Sequence, residues 1–228
     1  MLSKIEQIQE AIFYAEQRQS KITPLALAVP ALSSLNIRHL MNNLGAISTH
    51  YLEHGVHKGG LFCATVFKNN NLMSATAVDN FESDEHNADK AMPQFLENVE
   101  ICLPKELKMG FVHREEENTL TECFTLIKRN SFDVSPEEIP HKIDLYLFDA
   151  DHSEDSQCRA LTHFLPAMAD EFIFCVDDWD FPEVSAGTLR GIKETGVEIL
   201  FCQIFEGNDH DNDGWWNGYA VFLLKKKV

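Results

Sequence analysis

Four aspartates and one histidine occupy positions from which chemistry is easily built. Asp149-Ala150-Asp151-His152 closes the strongest apolar run in the chain, Ile143 to Phe148, and Asp177-Asp178 closes a second, Glu171 to Val176. Two neighbouring strands would deliver Asp149, Asp177 and Asp178 to one rim. Three close carboxylates repel one another unless they are protonated or hold a cation. Hard oxygen ligands of this kind suit Mg²⁺, Mn²⁺ or Ca²⁺. Asp151 is either a further ligand or the cap of the helix that follows. His152 titrates near neutrality, so beside such an ion it can take a proton from a substrate hydroxyl. For any one of these aspartates, the plainer alternative is a helix cap or an exposed turn.

A second group precedes it. Glu53-x-Gly55-x-x-x-Gly59-Gly60 forms a glycine-rich loop in which the backbone can turn tightly and approach a ligand. The dinucleotide fingerprint GxGxxG fails, because its middle glycine is replaced by His57. A carboxylate just ahead of the loop suits a cationic amine better than a diphosphate. Asp79, one helix and one strand further on, can accept both hydroxyls of a ribose. Together these features point to a nucleoside carrying an amino-acid-like group.

These residues need a scaffold. Ser3-Lys4-Ile5-Glu6 is a capping box, and the spacing predicts a first helix from Lys4 to Arg18. A second helix starts at Ser33 or Ser34 and stops at Gly45. Strands are expected over His50–Glu53, Met73–Val78, Phe124–Lys128, Ile143–Phe148, Glu171–Val176, Val197–Phe205 and Tyr219–Leu224. Helices are expected over Leu61–Phe67, Ala88–Cys102, from Ser135, Glu154–Phe164 and Ser185–Glu194, with Pro93 in or near the first turn of its helix. Strand and helix alternate, so the fold class is α/β. It is a doubly wound, mostly parallel, seven-stranded Rossmann-like sheet with a terminal antiparallel strand pair and N-terminal helices. Residues 1–32 form an N-terminal helix and linker, and residues 33–228 the catalytic domain. The highly charged stretch from Pro104 to Thr121 reads as an insertion or a lid. In such sheets ligands bind beyond the carboxyl ends of the strands, where the acidic residues stand.

Composition narrows the partners. The 228 residues carry 36 acidic against 19 basic side chains, a formal charge of −17. Such a surface repels phosphate backbones and anionic lipids, so neither nucleic acid nor a membrane is expected. The six cysteines form no CxxC pair and read as reduced core thiols of a cytoplasmic protein. Further copies of the chain, in a homo-oligomer, remain an open partner.

The residues resemble class I S-adenosylmethionine-dependent methyltransferases, over roughly residues 33–226. Tyr51 to Gly60 is similar to their first motif, and Ala77-Val78-Asp79-Asn80 to the acidic end of their second strand. Asp144 to His152, with Val176-Asp177-Asp178, resembles the metal-dependent O-methyltransferase branch. That branch includes the catechol- and caffeoyl-CoA-type enzymes and the sugar O-methyltransferases of antibiotic pathways. The resemblance implies that Glu53, Gly55 and Gly59, with Gly60 beside them, line the methionine end of the cofactor. It implies that Asp79 holds the ribose and that Asn130 and Ser131 sit near the adenine, where the family often has an acidic residue. Asp149, Asp177 and Asp178 would bind a divalent cation, Mg²⁺ or Mn²⁺. His152 stands where catechol- and caffeoyl-CoA-type enzymes place a catalytic lysine, so His152 or Asp149 would remove the proton. The implied activity is O-methylation of a small hydroxylated molecule such as a sugar or polyol. A nicotinamide-dependent oxidoreductase and a non-catalytic nucleoside-binding module are the alternatives.

Two weaker features complete the reading. Asp209 to Gly214 resembles half a calcium loop but has Ala220 where an EF-hand needs glutamate, so a polar hairpin is expected. Trp179, Trp215 and Trp216 could wall a sugar site, although ordinary packing is the commoner use of such residues.

Overall fold

A computed structural model of the protein describes residues 2–82, 88–104, 107, 119–120, 123–207 and 214–227. Most of the charged 104–121 segment, including Glu115-Glu116-Glu117, and nearly all of the calcium-like loop lie outside the described residues.

Helix α1 (Lys4–Glu16) begins at the expected capping box. Ser3 Oγ accepts from the Glu6 backbone N–H at 3.3 Å, and Glu6 Oε2 accepts from the Ser3 N–H at 2.7 Å. Its apolar stripe of Ile8, Ala11, Ile12 and Ala15 is buried. A one-turn helix, α2 (Pro24–Leu27), leads to α3 (Leu35–Gly45), capped by Ser34. The alternating part then begins with β1 (His50–His54), α4 (Gly60–Val66), β2 (Ser74–Val78) and α5 (Ala88–Cys102). It continues with β3 (Thr119–Leu120), β4 (Phe124–Ile127), β5 (Ile143–Phe148), α6 (Glu154–Phe164) and β6 (Met168–Asp177). The chain closes with α7 (Pro182–Thr195), β7 (Glu198–Phe205) and β8 (Tyr219–Lys225).

The strands lie in the order β3-β4-β2-β1-β5-β6-β8-β7. β4, β2, β1, β5 and β6 are parallel, and β8 runs antiparallel between β6 and β7. This is the expected seven-stranded sheet with its antiparallel end. The two-residue β3 adds a short antiparallel edge beside β4. The chain winds outward from β1 in one direction through β2 and β4, then returns to β5 and winds the other way. The crevice where the order reverses, between β1 and β5, is where such sheets bind ligands.

Side chains alternate across the central strands. Tyr51, Ala75, Ala77, Leu145 and Leu147 join the core under α1, α3, α4 and α5. Leu52, Val78, Tyr146 and Phe148 join the core under α6 and α7. Each fully buried large apolar side chain contributes about 1.5–3 kcal/mol relative to exposure. Residues 8–29 supply Ile8, Ile12, Ala26 and Val29 to the first core, so the N-terminal segment shares the core of the sheet.

Local differences have local causes. β6 starts at Met168 because Ile143 pairs with Met168 ahead of a register shift. α7 starts at Pro182, which suits a first-turn position, and ends at Gly196 in the left-handed region. Pro93 lies inside α5, beyond its first turn, and the turn at Pro136–Glu138 is a 3₁₀ turn. Four of the six free cysteines are buried, whereas Cys202 is exposed on the edge strand β7 and Cys123 is half-buried. Among the described residues, no helix is long and apolar enough to cross a membrane.

Candidate active site

A cleft of about 480 Å³ opens over the carboxyl ends of β1, β2 and β5, within the roughly 300–1,000 Å³ usual for small-ligand sites. Glu53, Gly55, Gly60, Asp79, Asn130, Ser131, Asp149, His152 and Asp178 all line it. Two of the expected site residues stand outside that lining. Gly59 is the left-handed cap of α4, beneath the Phe95 ring, and Asp177 is buried below the rim.

The glycine loop is fixed by close approach. Gly55 has φ +86°, and a Cβ there would lie 1.8 Å from the Asp149 carbonyl oxygen. The Asp149 N–H in turn donates to the His54 carbonyl at 2.9 Å. The tips of β1 and β5 are thereby locked together. A Cβ on Gly60 would lie 2.3 Å from Ala31 Cβ, so the linker from Pro30 to Ser33 forms part of the cleft wall.

Asp79 is held by two backbone donors. Its Oδ2 accepts from the His57 N–H at 2.8 Å and its Oδ1 from the Phe81 N–H at 2.7 Å. A carboxylate has about four acceptor sites, so lone pairs remain for two ligand hydroxyls. His57, Phe81 and Asp178 all line the cleft and all have left-handed φ, between +46° and +56°. Backbone strain of this kind concentrates at functional sites and costs roughly 1–3 kcal/mol per residue.

Asn130 Oδ1 accepts from the Phe132 N–H at 3.1 Å, capping a short 3₁₀ turn, and Phe132 reaches the cleft. The Arg159 guanidinium stands over the same ring, 3.9 Å from its centre. A planar aromatic face beside a polar cap is a suitable wall for a heterocyclic base.

At the other end, Glu53 is 1 % exposed. Burial drives its pKa well above the carboxylate range, against the hydrogen bond donated by Tyr51. Burial likewise raises Asp149 to about 6, and pushes Asp177 well up, with Asp149 and Asp178 adding repulsion. His152 Nε2 sits 3.1 Å from Asp178 Oδ2 and 3.9 Å from Asp149 Oδ1. These partners, Asp149 foremost, raise the imidazole pKa against its own desolvation. Asn217 Nδ2 donates to Asp178 Oδ1 at 2.7 Å and orients it from behind.

Asp149, His152 and Asp178 place ligand atoms within 4.8 Å of one another. The two carboxylates of this group are hard oxygen donors of the kind a divalent cation takes, and the imidazole stands beside them. Asp177 does not join this group. Its Oδ1 accepts from the Asp178 N–H at 3.0 Å.

Sequence reasoning missed Phe81, Phe132 and the Pro30–Ser33 linker. Phe132 follows directly on Asn130-Ser131 at a strand end and was within reach. The linker carries no pattern that announces it. Trp179 packs on Phe222 and Trp215 stacks on Phe205 at 3.8 Å, both away from the cleft, so these two serve packing.

A glycine turn, an acidic strand end and a cleft at the switch point define an α/β protein with its candidate site where such sheets bind ligands. Residues 52–179, more than half of the chain, match a family model described as a methyltransferase domain. The chain belongs to that family of methyltransferases. Solved structures share the fold at low identity. Cofactor-bound Rv0187 from MTB is 14% identical, with a TM-score of 0.57 over 96% of this chain and 90% of that one. The O-methyltransferase from Bacillus cereus, solved with SAH, is 13% identical, with a TM-score of 0.56 over 99% and 93%. TomG from Streptomyces achromogenes, an O-methyltransferase involved in tomaymycin synthesis solved with SAM, is 14% identical, with a TM-score of 0.54 over 99% and 92%. No curated protein matches the chain in sequence.

Proposed function

We propose that the protein transfers a methyl group from S-adenosylmethionine to a hydroxyl of a small polyhydroxylated molecule, with a divalent cation, Mg²⁺ or Mn²⁺, at the acidic rim. The observation that carries this reading is the placement of His152 between two cleft carboxylates, in the same cleft as Glu53 and Asp79. The O-methyltransferases among the structural neighbours support the choice of oxygen as acceptor.

In this reading Glu53 holds the cofactor's ammonium group, Asp79 its ribose and the Asn130–Phe132 turn its adenine. Bound there, the cofactor supplies an electrophilic methyl group on a sulfonium, and a divalent cation would lower the pKa of a nearby hydroxyl. Asp149 and Asp178 would hold the cation, with Asp177 buried behind them and bonded to the Asp178 backbone N–H. Neutral His152 takes the hydroxyl proton onto Nε2, and Asp178 and Asp149 stabilise the imidazolium that results. The protein's remaining contribution is to position the acceptor oxygen in line with the methyl group. The free thiols support a cytoplasmic setting.

The test is a melting experiment. S-adenosylhomocysteine should raise Tm, and Mg²⁺ or Mn²⁺ should raise it further. A panel of sugars, polyols and catechols with labelled cofactor then identifies the acceptor class. Absence of cofactor binding by calorimetry removes the whole reading, while cofactor binding with no cation effect removes only the metal.

A further inference from the structure

Tyr51 and Glu53 stand two residues apart on β1, so their side chains leave the strand on the same face. The glutamate reaches the cleft wall, while the tyrosine is fully buried behind it. The Tyr51 hydroxyl donates to Glu53 Oε2. Thr65 Oγ1, on α4, lies 3.4 Å from the same phenol oxygen, and 2.9 Å from the Leu61 carbonyl. A short polar chain therefore runs from the helix of the glycine loop, through the phenol, to the carboxylate.

This arrangement is costly as mere core filling. A tyrosine and a glutamate out of water gain little over an apolar pair of the same shape. The arrangement makes sense if the carboxylate must be ionised when a cation arrives. The phenol donates to one oxygen, which favours the anion and fixes its rotamer. Oε1 then remains as the acceptor for an ammonium group.

We propose that Tyr51 is a positioning residue that makes the cleft select ligands bearing an α-ammonium group, by anchoring Glu53 through Oε2. This rests on the assignment of the cleft as the cofactor site made above. The phenol touches neither cofactor nor acceptor. Its effect passes entirely through Glu53.

Two probes separate that role from packing. S-Adenosylhomocysteine carries the amino-acid end, and 5′-methylthioadenosine has the same nucleoside and thioether without it. Calorimetric titrations of the full-length protein, Tyr51→Phe, Glu53→Gln and the double variant are compared. Tyr51→Phe should weaken S-adenosylhomocysteine about tenfold, as expected for losing a hydrogen bond to a charged group, and leave methylthioadenosine within twofold. The pH at which S-adenosylhomocysteine affinity is half-maximal should move upward in Tyr51→Phe, because the carboxylate loses a donor that favoured ionisation. The double variant should bind like Glu53→Gln alone. Equal losses for both probes, an unmoved pH midpoint or an additional loss in the double variant each overturn the proposal. If Glu53→Gln binds S-adenosylhomocysteine as tightly as the wild type, the cofactor assignment of Glu53 itself fails. If Glu53→Gln is weakened and Tyr51→Phe is not, only the role of Tyr51 fails.

Discussion

His152 Nε2 lies 3.1 Å from Asp178 Oδ2, and the aspartate is itself held from behind by Asn217 at 2.7 Å. The relationship joins a residue that starts one helix approach, after β5, to one that starts another, after β6. It gives the imidazole a fixed direction and a stabilised protonated form. Those are two requirements of a base that must receive a proton and hold it.

Replacing the proposed base should slow the chemistry and spare binding. His152→Gln is expected to reduce methyl transfer roughly 10²- to 10⁴-fold, the usual worth of general-base catalysis, with S-adenosylhomocysteine affinity unchanged. The side chain is 42 % exposed, so the fold should tolerate the change. Single-turnover kinetics and calorimetry on the same preparation check both halves. A variant with full transfer activity removes His152 from the mechanism.

Asp149 offers a separate handle on the proposed cation. Asp149→Asn removes a half-buried carboxyl whose pKa already stands at about 6, so the fold should hold without added cation. The sign can be worked out. A carboxyl raised from 3.8 to about 6 favours folding at low pH and loses that contribution as pH rises between those values. The asparagine variant should therefore flatten this fall in stability, keep its melting shift with S-adenosylhomocysteine and lose the shift with Mn²⁺. A retained Mn²⁺ shift would place the cation elsewhere.

The contact between the two strand tips predicts a structural failure. Gly55→Ala drives a methyl group into the Asp149 carbonyl and demands positive φ of an L-residue. Overpacking and left-handed strain together cost about 3 kcal/mol. Urea unfolding should show that loss, and the cofactor melting shift should shrink with it. A wild-type midpoint with undiminished cofactor binding would contradict the locked geometry.

His54 should govern acid sensitivity. It is fully buried among Tyr146, Phe148 and Phe164, neither ring nitrogen has a hydrogen-bond partner, and burial lowers its pKa from 6.5 to about 3. The unfolded chain binds a proton near pH 6.5 that the folded chain refuses. Stability is therefore fully present above that pH and is lost as pH falls toward 3. Between pH 7 and 5 the loss is roughly 2 kcal/mol. His54→Phe should flatten this part of the stability–pH curve, and a curve of unchanged slope would assign acid sensitivity to other groups.

The strand-end residues were legible because a sheet of this kind states its own geometry. Ile143–Phe148 and Glu154–Phe164 emerge at their expected limits, and the acidic pairs stand where a parallel strand must end. Asp177 illustrates what a linear pattern leaves undecided. Adjacent residues at a strand end can point to opposite sides, and only the turn at Asp178, with φ +55°, determines which of the two reaches the cleft. The Pro30–Ser33 wall was hidden for a different reason. Its role depends on Gly60, nearly thirty residues away, having no side chain to keep it out.

Missing side chains thus shape the cleft at two places, Gly55 and Gly60. Because the tips of β1 and β5 meet at Gly55 and Asp149, the floor of the cleft is continuous from one strand to the next. Ser34 Oγ donates to the Gly214 carbonyl at 2.6 Å, tying the linker above Gly60 to the connection between β7 and β8. Two segments 180 residues apart in sequence thus meet where the linker leaves the cleft wall, and the placing of that wall depends on both.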